Sequence, residues 1–287
     1  MTAAILKRKS VHTRLSRLVV HLFLLIFVAA SILPLIYMLS TSLKPDGTEY
    51  EFPIRWIPEP RIAWENYWKS FTSVPTLKFL RNTLVISVVS LVGELLTASL
   101  AAYGFARLRF PGRELLFTLM LSTLMLPYFV TIIPLFILFR NLGWINTLYP
   151  LTVPAFFGGS PLFIFLLRQF FMTLPTELDD AARMDGAGFF RIWWSVLMPL
   201  TKPALATIAI LSLVFHWNDF AGPLIFLNTQ DNFTLALGVR LFRDQYRTAF
   251  NQTMAYSTMM TVPIVTVFFI FQRHFIRGIS MTGLTGR

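Results

Sequence analysis

No Asp, Glu, Lys or Arg lies between Arg17 and Lys44, between Glu114 and Arg140, between Arg140 and Arg168, or between Arg247 and Arg273. A hydrocarbon core about 30 Å thick is crossed by about 20 helical residues at roughly 1.5 Å each, and every one of these runs is longer than that. Two more stretches carry one acid apiece, Glu94 between Arg81 and Arg107 and Asp219 between Lys202 and Asp231. The pattern predicts an all-α, polytopic membrane helix bundle of six transmembrane helices, at about 18–40, 82–106, 115–139, 149–171, 203–227 and 252–272, in a single domain covering 1–287. Composition agrees: 14% of residues are charged and 55% hydrophobic, against roughly 25% charged in a soluble domain. That excludes a soluble globule, which could not cover its surface, and a disordered chain. The absence of cysteine excludes a thiolate metal site, a catalytic thiol and a disulfide framework.

The net charge is +11. In a soluble protein it would suggest nucleic acid, but here the cations flank apolar runs, where they set orientation in a membrane, so no nucleic-acid partner is expected. Lys7, Arg8, Lys9, Arg14 and Arg17 precede the first run. That run is too long for a signal peptide and lacks a convincing small-residue cleavage site, so it reads as a retained anchor. With six spans both termini share one side, and placing the basic N-terminus in the cytoplasm puts most Lys and Arg on the inner loops. The outer loop from Ser40 to Phe79 is too polar to span and rich in Trp, Tyr and Pro; short interfacial helices are expected there.

Prolines fall inside the expected spans at Pro127, Pro134, Pro154, Pro161, Pro223 and Pro263, with Gly158, Gly159 and Gly222 nearby. Each proline removes a helix hydrogen bond, and in lipid the freed carbonyl must find a partner, so such breaks suit a conduit as well as simple kinking. Glu94 and Asp219 are acids at membrane depth, costly unless paired or protonated. Glu94 is either a substrate or proton site or a neutral carboxyl bonded to Ser90 or Thr97 on its own helix. Trp217-Asn218-Asp219 either stacks on and bonds a polyhydroxylated ligand or anchors the helix at the interface.

Between the fourth and fifth spans runs LPTELDDAARMDGAGFFRIWWSVLMPLTKP, Leu174 to Pro203. Thr176 with Asp179 has capping-box spacing, and Glu177, Asp179 and Asp180 place negative charge where a helix N-terminus favours it. Asp179 and Arg183 are spaced for an i,i+4 pair, and Gly186 suits a left-handed stop after about two turns. A short, capped surface helix over 176–186 is expected, with Leu178, Ala181, Ala182 and Asp185 on one face. It is either an ordinary amphipathic surface helix or a docking element whose alanines let a partner approach closely.

The spacing Asp180-Ala181-Ala182, Gly186, Val196, Met198-Pro199 resembles the E-A-A-x3-G-x9-I-x-L-P signature of ABC importer permeases, with Asp, Val and Met in place of Glu, Ile and Leu. AAYGFARLRFPGR from Ala101, the WNDF run from Trp217 and QRHFIRG from Gln272 are similar to the carbohydrate-uptake, type I group of these binding-protein-dependent permeases, and within it to the maltose-transporter G subunit. The resemblance implies a transmembrane permease subunit in a bacterial or archaeal cytoplasmic membrane, working with a second permease of a different sequence, two cytoplasmic ATP-binding subunits and an extracytoplasmic solute-binding protein, to import a di- or oligosaccharide. It implies that Glu177, Asp179, Asp180, Ala181, Ala182, Arg183, Asp185 and Gly186 form a cytoplasmic coupling helix that docks in the ATPase and is turned when the ATPase pair closes on ATP. The tail from Gly278 to Arg287 would touch the ATPases too. Trp217, Asn218, Asp219 and Glu94 are the candidate substrate-pathway residues.

The chain has no Walker A pattern and no Gly-Lys pair, so no cofactor is expected on it, and ATP and Mg would sit on partner subunits. It is not expected to be an enzyme: HExxH and GxSxG are missing. The alternatives are a type I ABC permease for a non-sugar solute and, as a different class, a proton-coupled secondary carrier with Glu94, Asp219 and His216 as the relay.

Overall fold

A computed structural model describes residues 2–48, 52–242 and 250–283, with side chains over 16–48, 52–242 and 250–272. The regular elements among the described residues are helical. They are α1 (Thr2–Ser42), α2 (Glu65–Ser73), α3 (Thr76–Arg107), α4 (Arg113–Ser122), α5 (Tyr128–Asn141), α6 (Tyr149–Thr152), α7 (Pro161–Thr173), α8 (Glu177–Met184), α9 (Phe189–Arg191), α10 (Met198–Leu200), α11 (Lys202–Asn218), α12 (Ala221–Phe226), α13 (Leu235–Gly238) and α14 (Phe250–Gly283), with short 3-10 turns and a π-helical turn, Ile192–Leu197, between them. Ser16–Ser42, Thr76–Arg107, Tyr149–Thr173 and Phe250–Gln272 are long and apolar enough to cross a membrane. Two bent pairs, Arg113–Met125 with Tyr128–Asn141 and Phe189–Leu200 with Lys202–Asn218, bring the number to six when each pair is one span.

Packing divides the chain into two compact units, Met1–Ser73 with Phe242–Met259, and Val74–Leu241 with Met260–Arg287. In the first unit the apolar window of α1 buries 0% of its residues inside the chain. A bare apolar helix of this kind must be covered by lipid or by another chain. Its C-terminal carbonyls are answered from α2, where buried Asn66 donates to the oxygens of Ser42 and Lys44 at 2.9 and 2.8 Å. The Ser42 carbonyl is one of the acceptors that a helix end leaves without internal partners, and that of Lys44 lies just beyond it. Asn251 of α14 donates to the Lys44 carbonyl as well, and Tyr256 packs its ring 5.0 Å from Phe242.

The second unit is built on α3, α7 and α11. Ala98 and Ala102 of α3 are buried with Phe163, Leu167, Phe170 and Phe171 of α7 and Ile208 of α11. Small residues on α3 let the aromatic face of α7 come close, which is how helices gain packing where lipid is as apolar as leucine.

The expected spans are interrupted in particular places. In the run expected as one helix over 115–139 the chain bends by 100°, with Pro127 in extended backbone at the N-cap of α5, whereas Pro134 lies inside α5. The run expected over 149–171 is interrupted by a 3-10 turn, Val153–Phe156, and by Gly158 and Gly159, both with positive φ. The freed carbonyls find partners on α3: Ser90 donates to Leu151 O and Thr97 to Ala155 O, each at 3.0 Å. That is the condition under which non-helical backbone is stable at membrane depth. The run expected over 203–227 is helical as α11 only to Asn218; Asp219 then accepts the Gly222 N–H at 3.1 Å and starts α12.

Gly93 sets how closely α3 meets the broken segment, since a Cβ there would stand 2.9 Å from the Phe156 ring and 3.1 Å from the Ala155 carbonyl carbon. Gly93→Val is expected to destabilise the second unit by about 1–3 kcal/mol through overpacking. Thermal unfolding in detergent checks it. Gly104→Ala, on the same helix with nothing within 4 Å of the added atom, should hold or raise the midpoint.

Candidate functional site

The segment expected to form a capped helix is helical as α8, and its two ends differ in how they are made. Gly186 has φ +78, with Gly186 N–H donating to Arg183 O and Ala187 N–H to Ala182 O, each at 2.9 Å. This is a Schellman stop, and it needs a residue tolerant of left-handed backbone. The N-terminus departs from the expected capping box: Thr176 makes no side-chain cap bond, and Asp179 turns inward instead of reaching back.

The i,i+4 pair expected between Asp179 and Arg183 is replaced by two others. Asp179 faces Arg107, the last residue of α3, with Oδ2 3.0 Å from Nε and side-chain exposures of 6% and 5%. Arg183 lies 3.7 Å from Asp180 on the exposed side. Burial decides this: an ion pair shielded from water is much stronger than one screened at the surface. Burial also pushes the Asp179 carboxyl above its ordinary value, with Arg107 and Arg183 pulling the other way. Arg107 donates a further bond from Nη2 to Leu174 O at 2.8 Å. Arg107 escaped the sequence reading because no spacing rule links the end of one helix to a helix far along the chain.

The other face of α8 is open. Glu177, Leu178, Asp180, Ala181, Arg183, Asp185 and Gly186 are exposed, Met184 is 88% exposed, and Phe189, Phe190 and Trp194 continue the apolar exposure beyond the stop. Ala182 is half-buried against the core of the second unit, so the face expected to carry both alanines is split. Ala181 looks out and Ala182 looks in. Beside α8 an open cleft of about 1020 Å³ is lined by Arg107, Arg109, Arg113, Asp179, Asp180 and Arg183, among others.

The membrane acids are engaged differently from the expectation. Glu94 Oε1 lies 3.2 Å from Nε2 of His216, and both side chains are buried. The neutral pairing with Ser90 or Thr97 does not form, because those hydroxyls serve the broken segment. The other Glu94 oxygen is buried without a partner. Trp217 is buried and donates from Nε1 to Met260 O at 3.0 Å, Asn218 is exposed and donates to Val214 O at 2.8 Å, and Asp219 holds the start of α12. Among the described residues no group of His, Cys, Asp and Glu is arranged to hold a metal ion. The QRHFIRG run beyond Gln272 and the tail from Gly278 to Arg287 lie outside the residues whose side chains are described.

A helical membrane chain with broken spans and a bare, glycine-stopped helix between two of them has the form of a transport permease. Residues 94–281 match the family of binding-protein-dependent transport system inner membrane components. The chain belongs to that family, and it is a multi-pass membrane protein. It is 34% identical to an arabinooligosaccharides transport system permease protein of Halalkalibacterium halodurans, over 89% of this chain and 92% of the relative. It is 33% identical to an sn-glycerol-3-phosphate transport system permease protein of Yersinia pestis, over 90% and 94%. A diacetylchitobiose uptake system permease protein of Streptomyces coelicolor is 30% identical, over 91% and 86%. In fold the chain resembles a chain in the crystal structure of a bacterial ABC transporter involved in the import of the acidic polysaccharide alginate, with a TM-score of 0.80, 24% identity and coverage of 91% and 97%.

Proposed function

We propose that this chain is one permease subunit of an ATP-driven importer and that, with a second permease of different sequence, it encloses the pathway for a di- or oligosaccharide delivered by a solute-binding protein. The observation that carries the proposal is α8, held to the bundle on its buried side and bare on the other, where Ala181 leaves room for a neighbouring surface. One of two cytoplasmic ATP-binding subunits docks there, the pair of them holds the ATP and Mg, and this chain binds no cofactor itself. Orientation follows the cations: α8 and both termini face the cytoplasm of a bacterial or archaeal inner membrane. The sugar class is supported by two relatives named for oligosaccharides and a third named for a phosphorylated polyol. Within the pathway Asn218 is the exposed one of Trp217, Asn218 and Asp219 and is assigned the substrate contact, with Trp217, Asp219 and Glu94 holding the surrounding backbone and helices in place.

The chain lacks cysteine, so Ala181→Cys introduces one defined reporter. In the complex copurified from membranes, maleimide labelling at that position is expected to run at least about tenfold slower than in the isolated chain, the factor that 1.4 kcal/mol of occlusion supplies. An unchanged rate beside stoichiometric ATPase would sink the docking role of α8. A ligand screen on the copurified binding protein tests the sugar class, which fails if amino acids or inorganic phosphate are retained and oligosaccharides are not.

A further inference from the structure

We propose that Arg107 is a positioning residue for coupling: with Asp179 it forms the joint through which a turning α8 drags α3. The proposal rests on the importer reading, in which α8 is the docked lever.

The chain itself does not join these helices directly, since α8 follows α7 and precedes α9 in sequence. Arg107 reaches across from the end of α3 and holds two points at once, Asp179 on the buried face of α8 through Nε and the Leu174 carbonyl at the entry to α8 through Nη2. A planar cation gripping one point on α8 and another just before its start resists rotation of the lever as well as withdrawal. The two side chains are little exposed at the edge of the cleft, so their attraction is screened far less than that of an open surface pair. The exposed Arg183–Asp180 contact can transmit little by comparison.

The joint is incomplete in a way that suits a moving part. Oδ1 of Asp179 is buried with no hydrogen-bond partner, and the Arg107 Nε–H does not point along its 3.0 Å contact. A bidentate clamp on Asp179 would use both of its oxygens, whereas this contact leaves one spare for the guanidinium to take up as α8 and α3 move together. Further along α3, Ser90 and Thr97 grip the broken segment and Glu94 meets His216 of α11. Motion received at Arg107 therefore arrives at the irregular backbone at membrane depth.

The test uses the full complex in lipid nanodiscs, with spin labels on Thr176→Cys at the N-cap of α8 and Leu100→Cys of α3, both exposed positions in a chain without other cysteines. With the joint intact, the label separation is expected to stay the same when ATP and vanadate are added, because lever and helix move together. In Arg107→Gln the ATPases are expected to remain bound and to hydrolyse ATP as before, while ATP and vanadate shift the separation beyond the width of the wild-type distribution. The charge-swapped double variant, Arg107→Asp with Asp179→Arg, should return it to constancy, which a general loss of fold stability would not do. A separation that stays constant in Arg107→Gln, or one that shifts equally with the joint intact, overturns the proposal, as does failure of the swap in an assembled complex. If Arg107→Gln does not assemble, Arg107→Lys decides: it keeps the charge and loses the fork, so a nucleotide-dependent shift supports the joint and constancy overturns it. A wild-type chain that recruits no ATPase overturns the importer reading and the joint with it; recruitment beside an unresponsive Gln variant overturns the joint alone.

Discussion

Ala181→Trp is expected to abolish ATP-dependent uptake while leaving the permease itself folded. Ala181 is exposed on α8, so the indole meets solvent in the isolated chain and costs it nothing in packing. Against a docked ATPase the same ring must be fitted into a surface shaped around a methyl group. Overpacking of that kind costs about 3 kcal/mol, which is roughly 100-fold in affinity. Thermal unfolding of the detergent-solubilised permease should be unchanged, and the yield of copurified ATPase should collapse. Full retention of ATPase by the Trp variant would show that this face is not where the partner sits. Ala182→Trp should behave differently, because Ala182 is half-buried against the core of the second unit. It is expected to destabilise the permease as well as the complex.

His216→Ala is expected to lower the stability of the second unit by about 3 kcal/mol, because it strands a buried acid. Glu94 already has one oxygen without a partner, and the other depends on His216 at 3.2 Å. Removing the imidazole leaves the whole carboxyl unanswered beside Gly159, which packs against its Cγ closely enough that a Cβ there would stand 3.1 Å away. The measurement is the unfolding midpoint in detergent, compared across Glu94→Leu, His216→Ala and the double variant Glu94→Leu with His216→Leu. Replacing both groups by apolar ones removes the need for pairing, so the double variant should recover to within about 1 kcal/mol of the parent. If His216→Ala were as stable as the parent, the contact would carry no structural load.

Much of the fold was legible because lipid imposes a simple rule on sequence. Charge-free runs longer than the bilayer requires are the natural candidates for spans, and the run between Arg17 and Lys44 is the plainest case, since Ser16–Ser42 is a single helix long and apolar enough to cross. Gly186 was legible for an equally local reason: few residues other than glycine readily take a backbone φ of +78. The two prolines at 127 and 134 mark where local reasoning stopped. They lie in the same apolar run, yet one caps a helix after a 100° bend and the other continues inside one. A proline's own chemistry is the same in both places, and the surroundings decide which outcome is cheaper.

The amino-acid order by itself determined that the chain crosses a membrane repeatedly, that no ATP-binding motif accompanies the spans, and that a glycine-stopped helix interrupts them between the fourth and the fifth. Those features follow from solvent exclusion and from backbone preferences that act within a few residues. Only the tertiary structure decided that Asp179 would leave Arg183 for Arg107, that Glu94 would meet His216, and that Ser90 and Thr97 would serve the broken segment. Each of these pairs joins groups far apart in the chain, and each forms because a polar group shut away from water must be answered by whatever the packing of the helices brings within reach.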